Sequence, residues 1–499
     1  MVENTELTTH HSEPVKNSTH VQRSLVQRPD VQLAGRSNRA KTVGMDEKSL
    51  APDTGTGSEP DGALLFDLGE APSEPASAVG GTPRLRYASR QQIEMRTCAL
   101  DGLIPEDHAA RIVWAFVEGV DLTDLLAKIK AVKGKAGASA TDPRILLTLW
   151  LYATLRGVGS ARELDRRCRE DIGFEWICGG VSLNYHTLAD FRVAHVEVLD
   201  RLLTDSVAAL LEQDLVSMER VAQDGMKVRA SAGASSFRRR PRLEEFRDEA
   251  AAQIEALKKE LETDPAQGTR RQQAARQRAA EDRAARVRQA LEQMPQVEDA
   301  KPAKDKDKAR VSTTDPEARV MKMGDGGFRP AFNVQLATDT QTQIITGVDV
   351  TNSGGDQGKL APMVDQLQER YEEKPKEMLA DGGFAKKEDI ETLGQAGTTV
   401  YTPVQASKDP ERDPHTPRAD DTPKVAEWRQ RMATAEAKQI YKERASTAEC
   451  VNAHARNRGL HQFRVRGLAK VTAVVLLYTL AHNLMRTATL RAERENHRK

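Results

Sequence analysis

The spacing of apolar positions changes along the chain, and each change marks a different kind of element. From Met1 to about Ala88 the few apolar residues keep neither the helical nor the strand period. The background there is Ser, Thr, Gly, Pro, Asn and Gln, so residues 1–88 read as a disordered tail. Helical spacing follows, with Ile112, Val113, Phe116, Val117 and Val120 on one face. Thr141-Asp142-Pro143 supplies a cap and a proline at the first helical position for a helix over 145–155, which Gly157 stops. Ser160 and Glu163 form a capping box for the next helix, and a further helix is expected from His186 through Phe191, Val196, Leu199 and Leu202 to Leu211. Residues 89–214 therefore read as an all-helical domain. Binding of DNA ends is one role for it and plain packing the other, because no base-reading residue stands out.

Period-two alternation begins beside Asp224-Gly225, where Met226, Val228 and Ala230 alternate with Lys227 and Arg229. Residues 241–310 then become Ala, Glu, Gln, Arg and Lys with few large apolar groups, which predicts a charged helical, coiled-coil-like insertion broken near Asp264-Pro265. Strand signals return at Phe332, Val334 and Leu336 and at Ile344 to Val350, a hairpin across the polar turn from Asp339 to Gln341. After it come a helix with Leu360, Val364, Leu367 and Tyr371 on its buried stripe, a strand from Met378 to Ala380 that ends at Asp381-Gly382-Gly383, a helix from Lys386 to Leu393 and an extended segment from Thr398 to Val404. Ser407 to Thr422 is a polar, proline-broken linker. Pro423 opens a long helical region with Trp428, Met432, Ile440 and Tyr441 among its apolar positions.

With the insertion removed, three strands able to pair antiparallel precede alternating helices and strands. The expected fold class is α/β with a five-stranded mixed sheet covered on both faces. Its order is that of the ribonuclease H-like fold, an analogy that by itself establishes no activity. The core would comprise 215–240 and 311–490, with a basic C-terminal tail over 491–499.

Composition adds three constraints. The 499 residues have room for two or three domains, and a charged fraction of 30% places solvated helices beside the core. The widely spaced Cys98, Cys168, Cys178 and Cys450 include no Cys-x-x-Cys pair, which excludes a disulfide framework or a cysteine zinc site and suits a reducing cytoplasm. The longest apolar run, around Val471 to Ala481, is interrupted by Thr472, Tyr478 and Thr479 and reads as too short to span a bilayer, so a soluble, cytoplasmic chain is expected. Lys+Arg and Asp+Glu balance at 74 each, yet from Tyr441 to Lys499 there are 12 Lys/Arg and 4 Asp/Glu, a bias that suits a polyanion.

Two-metal phosphodiester chemistry needs carboxylates from separate segments to converge, since hard divalent cations take oxygen ligands and two must sit about 4 Å apart. Asp224 at the first strand, Asp381 at the end of the strand after the central helix and Glu449 on the late helix are the acids so placed. Each also has an ordinary reading, as a turn residue, a helix cap or a solvated carboxylate. Glu443, six positions before Glu449, points to another side of a regular helix. Lys442, Ala445, Glu449, Asn452 and Arg456 share one stripe, bases beside an acid, as a site next to phosphates would have. The glycines after both aspartates leave room for backbone to approach a metal or phosphate.

Gln223-Asp224-Gly225, Leu379-Ala380-Asp381-Gly382-Gly383-Phe384, and Tyr441-Lys442-Glu443-Arg444 with Glu449 and Arg456 resemble the Asp-Asp-Glu (DDE) transposases of bacterial insertion sequences. The resemblance covers most of residues 96–488, including Asn184-Tyr185-His186-Thr187 and Ala481-His482-Asn483-Leu484. It departs from the family pattern in having Arg456 where lysine is commoner and four residues between Arg444 and Glu449. It implies a ribonuclease H-like core in which Asp224, Asp381 and Glu449 are catalytic and bind two Mg2+ ions, or Mn2+ in their place. Tyr441, Lys442, Arg444 and Arg456 would bind DNA. The implied partners are transposon ends and target DNA, held by a homodimer in the synaptic complex, and the implied reaction is end cleavage followed by attack of the freed 3′-hydroxyl. The alternatives are a ribonuclease H-like nuclease or resolvase without strand transfer, and a non-catalytic DNA-binding coiled-coil protein.

Overall fold

The computed structural model describes residues 99–136, 138–263, 269–407 and 411–498. The expected tail over 1–88, Cys98 and the break at Asp264-Pro265 lie outside the described residues. Among the described residues seven α-helices precede the first strand: α1 (Ala109–Gly119), α2 (Thr123–Ala127), α3 (Pro143–Leu155), α4 (Ala161–Glu170), α5 (Ile172–Cys178), α6 (Tyr185–Ala194) and α7 (Val196–Glu212). Local chemistry starts them: Asp142 accepts from the Arg144 amide at 2.8 Å ahead of Pro143, and Asn184 accepts from the His186 and Thr187 amides. The helix expected over His186 to Leu211 is two helices, because His195 leaves helical space at φ −130° and ψ 41°. Trp150 is buried, with its indole N–H donating to the Leu188 carbonyl at 2.9 Å.

The strands are β1 (Arg220–Arg229), β2 (Phe237–Arg238), β3 (Val311–Ser312), β4 (Arg319–Lys322), β5 (Phe328–Asp339), β6 (Ile345–Thr351), β7 (Glu377–Ala380) and β8 (Thr399–Tyr401). β2 and β3 form a separate small ribbon at the base of the charged insertion, whose helices are α8 (Arg240–Thr263) and α9 (Arg270–Asp299). The main sheet runs β4-β5-β1-β7-β8, with β6 also on β5. β5 pairs antiparallel with β1, and β1, β7 and β8 are mutually parallel. Six strands pair in it, the five of the mixed sheet expected and β4 in addition. At Ala331 one edge of β5 is taken by Arg229, so Arg319 of β4 uses the edge on which Asn333 pairs with Thr351 of β6. The sheet is thus five rows wide, and the sixth strand shares an edge row with β6.

Helices α10 (Leu360–Tyr371), α11 (Lys387–Gln395), α12 (Pro423–Ala433), α13 (Ala435–Arg444), α14 (Cys450–Asn457) and α15 (Leu468–Arg498) complete the chain. The region after Pro423 is not one helix, since Thr434 adopts extended backbone and caps α13. α15 is long and apolar enough, by length and composition, to cross a bilayer, which corrects the expectation drawn from its apolar run. Its apolar side chains from Val471 to Ala481 are nonetheless mostly buried against α3, α6, α7 and β6. Asn483 pins it there, accepting from the Ile345 amide at 2.8 Å and donating to the Ile345 carbonyl at 2.7 Å. Residues 491–498, expected as a basic tail, are its last turns.

Candidate active site

Parallel pairing of β1 with β7 ends at Gln223 opposite Ala380, so the next residue of each strand is an aspartate, Asp224 and Asp381. Two acids separated by more than 150 positions become neighbours through register alone. Arg220, Ala222 and Asp224 share one face of β1 by alternation, and α13 and α14 bring their polar side chains to that face. Arg220 pairs with Glu377 and, at 2.6 Å, with Glu443. Glu443, the rival third acid, is thereby engaged at the opposite end of this face from Asp381.

Between α13 and α14 the backbone makes one π turn, Ala445–Glu449. The additional residue in that turn changes which side chains align, and such turns often mark functional sites. It corrects the stripe expected from uniform helical spacing. Arg444, rather than Lys442, shares a side with Glu449 and Asn452. Its guanidinium is 2.8 Å from Glu449 Oε1 and 3.8 Å from Asp224 Oδ2, while Asn452 Nδ2 donates to Asp224 Oδ2 at 2.9 Å. Lys442 is exposed and donates to Gln439, Arg456 is exposed, and Tyr441 is half-buried with Arg444 over its ring.

Burial raises the Asp224 pKa, against the opposing effects of Arg444 and of the Gly225 N–H, with the negative charges of Asp381 and Asp356 adding to the rise. Burial also raises the Tyr441 pKa, and the charges of Asp381 and Asp224 push it the same way. For Arg444 burial works against the charge, but Tyr441, Asp224 and Glu449 outweigh it and the pKa rises. The acids and the guanidinium form one electrostatic unit. Asp381 accepts from the Gly383 amide at 2.8 Å, and its own carbonyl accepts from Thr402 Oγ1.

This donor set suits a hard divalent cation, being carboxylate oxygen with no sulfur or imidazole. Among the described residues no three His, Cys, Asp or Glu side chains are already gathered as a metal cage. Asp224 and Asp381 adjoin, whereas Glu449 is exposed, with its oxygen turned to the Arg444 guanidinium. Arg444 supplies the positive charge between Asp224 and Glu449.

Asp356 carries no signal in the sequence pattern, because it lies in the polar loop between β6 and α10. On the face of the sheet opposite Asp224 it accepts from Asn333 Nδ2 at 2.6 Å and Gln335 Nε2 at 2.7 Å, with Lys227 at 3.6 Å. It also explains Gly225: a Cβ there would stand 2.4 Å from Asp356 Oδ1 and 2.6 Å from Gln335 Nε2. The room expected there for a metal or phosphate is filled by side chains.

Residues 296–484 match the family described as Transposase DDE domain, and residues 99–194 match a second, described as Transposase domain (DUF772). The chain carries a DDE transposase domain, preceded by the second transposase domain. No curated protein and no solved structure matches it. The match to the DDE domain starts within α9, so it includes Asp381, Glu449 and the four basic or aromatic candidates, while Asp224 precedes it. The mixed sheet with its N-terminal helices is consistent with a ribonuclease H-like DDE transposase, and a DDE transposase domain implies a catalytic, DNA-binding transposase of a kind that typically uses divalent metal.

Proposed function

We propose that the protein cuts the ends of a transposable DNA element and joins the freed 3′-hydroxyl to target DNA, with Asp224, Asp381 and Glu449 holding two Mg2+ ions. The observation that carries this reading is the adjacency of Asp224 and Asp381 at the ends of parallel strands, with Arg444 linking Asp224 to Glu449. Bound divalent ions supply an activated nucleophile and neutralise charge on the phosphorus and the leaving oxygen. Asn452 orients Asp224, and the Gly383 amide orients Asp381. Arg444 moves from pairing with the carboxylates to pairing with the DNA phosphates, with Tyr441 beneath it and the exposed Lys442 and Arg456 holding more distant backbone. A homodimer pairing two ends fits a reaction that must act on both.

The test is Mg2+-dependent cleavage of end DNA and strand transfer from precut ends. Asp224→Ala, Asp381→Ala and Glu449→Ala each lose both reactions, and Glu443→Gln retains them because its carboxylate serves Arg220. Cleavage without transfer from precut ends would make the protein a nuclease. Full activity in any one of the three alanine variants would refute the triad.

A further inference from the structure

A cleft of about 390 Å³ lies between the turn that follows α3 and the segment after α14, and none of Asp224, Asp381 and Glu449 lines it. Its lining includes Arg192, Arg458 and Arg464, and no acidic side chain among the described residues lines it. Arg192 is 9% exposed, and its Nε is buried without a hydrogen-bond partner, although Nη1 donates to the Gly159 carbonyl at 2.5 Å. Arg458 Nη1 is also buried and unpartnered. None of the three arginines forms an ion pair with a described residue.

Buried cationic donors without an acceptor are costly and call for a partner such as a bound ion or water, and the Trp150 ring, its centroid 4.8 Å from the Arg192 guanidinium carbon, offers its face but no acceptor atom to Nε. Burial, and then the charge of Arg464, lower the Arg192 pKa to about 10, so like charge accumulates here rather than being neutralised. The walls are held in place by glycine. Gly157 and Gly459 both have left-handed backbone, with φ +70° and +89°, and a Cβ on Gly459 would lie 3.3 Å from the Gly157 carbonyl oxygen. The two turns therefore touch, and the cleft joins the N-terminal helices to the DDE domain.

We infer that this cleft, formed by Arg192, Arg458 and Arg464, is a binding site for a phosphate group of the DNA backbone, with none of the three acids in its lining. The inference rests on the DNA-acting reading above and adds a defined contact to it. Guanidinium forks suit phosphate oxygens, and a contact of this kind fixes register on the duplex without reading bases. Because the cleft is lined by both matched regions, a phosphate seated in it would tie the N-terminal helices and the catalytic domain to one stretch of DNA.

The experiment uses the full chain, the Arg458→Gln/Arg464→Gln double variant and, separately, Arg464→Gln, whose side chain is exposed and whose loss leaves the fold intact. Binding of a random-sequence duplex is measured without divalent metal across a salt series, and thermal melting is measured with inorganic phosphate against chloride at equal ionic strength. Folded variants are expected to bind DNA more weakly, with a salt slope smaller by about 1, and to lose the stabilisation that phosphate gives the unmodified chain. Unchanged DNA affinity and slope in a folded double variant overturn the inference. Phosphate stabilisation that depends on these arginines while DNA binding does not would assign the cleft to free phosphate instead, which also overturns it. Failure of the unmodified chain to bind any duplex would instead refute the DNA-acting reading, and the DNA assignment of this cleft with it.

Discussion

Asn452 Nδ2 donates to Asp224 Oδ2 at 2.9 Å, joining α14 to the first strand of the sheet across 228 positions of sequence. Asn452 is 3% exposed, and the bond sets the direction of a carboxylate that burial has already destabilised as an anion. Partners that orient a metal-ligating carboxylate are worth about 10–100-fold in metal affinity or activity. Asn452→Ala is therefore expected to raise the Mg2+ concentration needed for half-maximal cleavage by about that factor, with the fold retained by circular dichroism. An unchanged Mg2+ dependence would mean that Asp224 is oriented by Gly225 and Arg444 alone.

On the proposed reading, a divalent ion would compete with Arg444 for the carboxylate oxygens of Asp224 and Glu449. Replacing the guanidinium with a neutral side chain leaves Asp224 facing Asp381 and Glu449 without a counter-charge, which destabilises the metal-free protein and makes a cation more welcome. Arg444→Gln is expected to melt lower than the parent without metal and to gain more from saturating Mg2+ than the parent does. Thermal melting with and without Mg2+ reads both effects. An equal Mg2+ gain in the two proteins would show that the ion does not replace the guanidinium.

Asp224 and Asp381 were legible because each breaks a strand pattern with an Asp-Gly step, and pairing of the two strands then makes them neighbours. Arg444 is legible as a DNA contact through the Tyr441-to-Arg444 motif, but its place beside Glu449 and Asp224 was not, because a π turn cannot be read from apolar spacing and the uniform-helix assumption aligned Lys442 there. Asp356 was hidden for a different reason. Its partners Asn333 and Gln335 lie on β5, and only the folded sheet brings that strand beneath the β6–α10 loop. β4 escaped notice because four residues are too few to establish alternation, and the long reach of β5 past β6 that gives β4 its partner is a property of the assembled hairpin. The break at His195 and the cap at Thr434 show the same limit for helices: continuous apolar spacing passes through a single residue that leaves helical backbone.

Gly225 tests whether the glycine after the first aspartate serves packing. A methyl group there meets Asp356 and Gln335 well inside van der Waals contact, and both side chains are committed to a buried polar network with Asn333 and Gln223. Overpacking of this kind costs about 1–3 kcal/mol. Gly225→Ala is expected to lower unfolding stability by that amount in urea denaturation, and Gly225→Ala/Asp356→Ala to recover part of it by removing the clash. A fully stable single variant would return Gly225 to the role of leaving space for phosphate or metal.

Asp315 and His482 give opposite pH dependences to stability. Asp315 lies between β3 and β4, fully buried; one oxygen accepts from the Gly467 amide at 3.2 Å and the other has no partner. Burial raises its pKa from 3.8 to about 6, so the folded chain holds the proton more tightly than the unfolded one and stability falls as pH rises from about 4 to about 6. His482, buried with Nε2 against the Gln343 carbonyl, is lowered by burial from 6.5 to about 4, so its contribution rises with pH over nearly the same interval. Each shift corresponds to about 3 kcal/mol, and in the parent the two slopes largely cancel. Asp315→Asn removes one of them. The variant is expected to match the parent near pH 4 and to exceed it by roughly 2 kcal/mol at pH 7, less than the full shift because the amide Nδ2 gains no acceptor. Urea unfolding at successive pH values between those limits measures the difference directly. A gap between variant and parent that stays constant with pH would show that the Asp315 carboxyl titrates alike in the folded and unfolded chains.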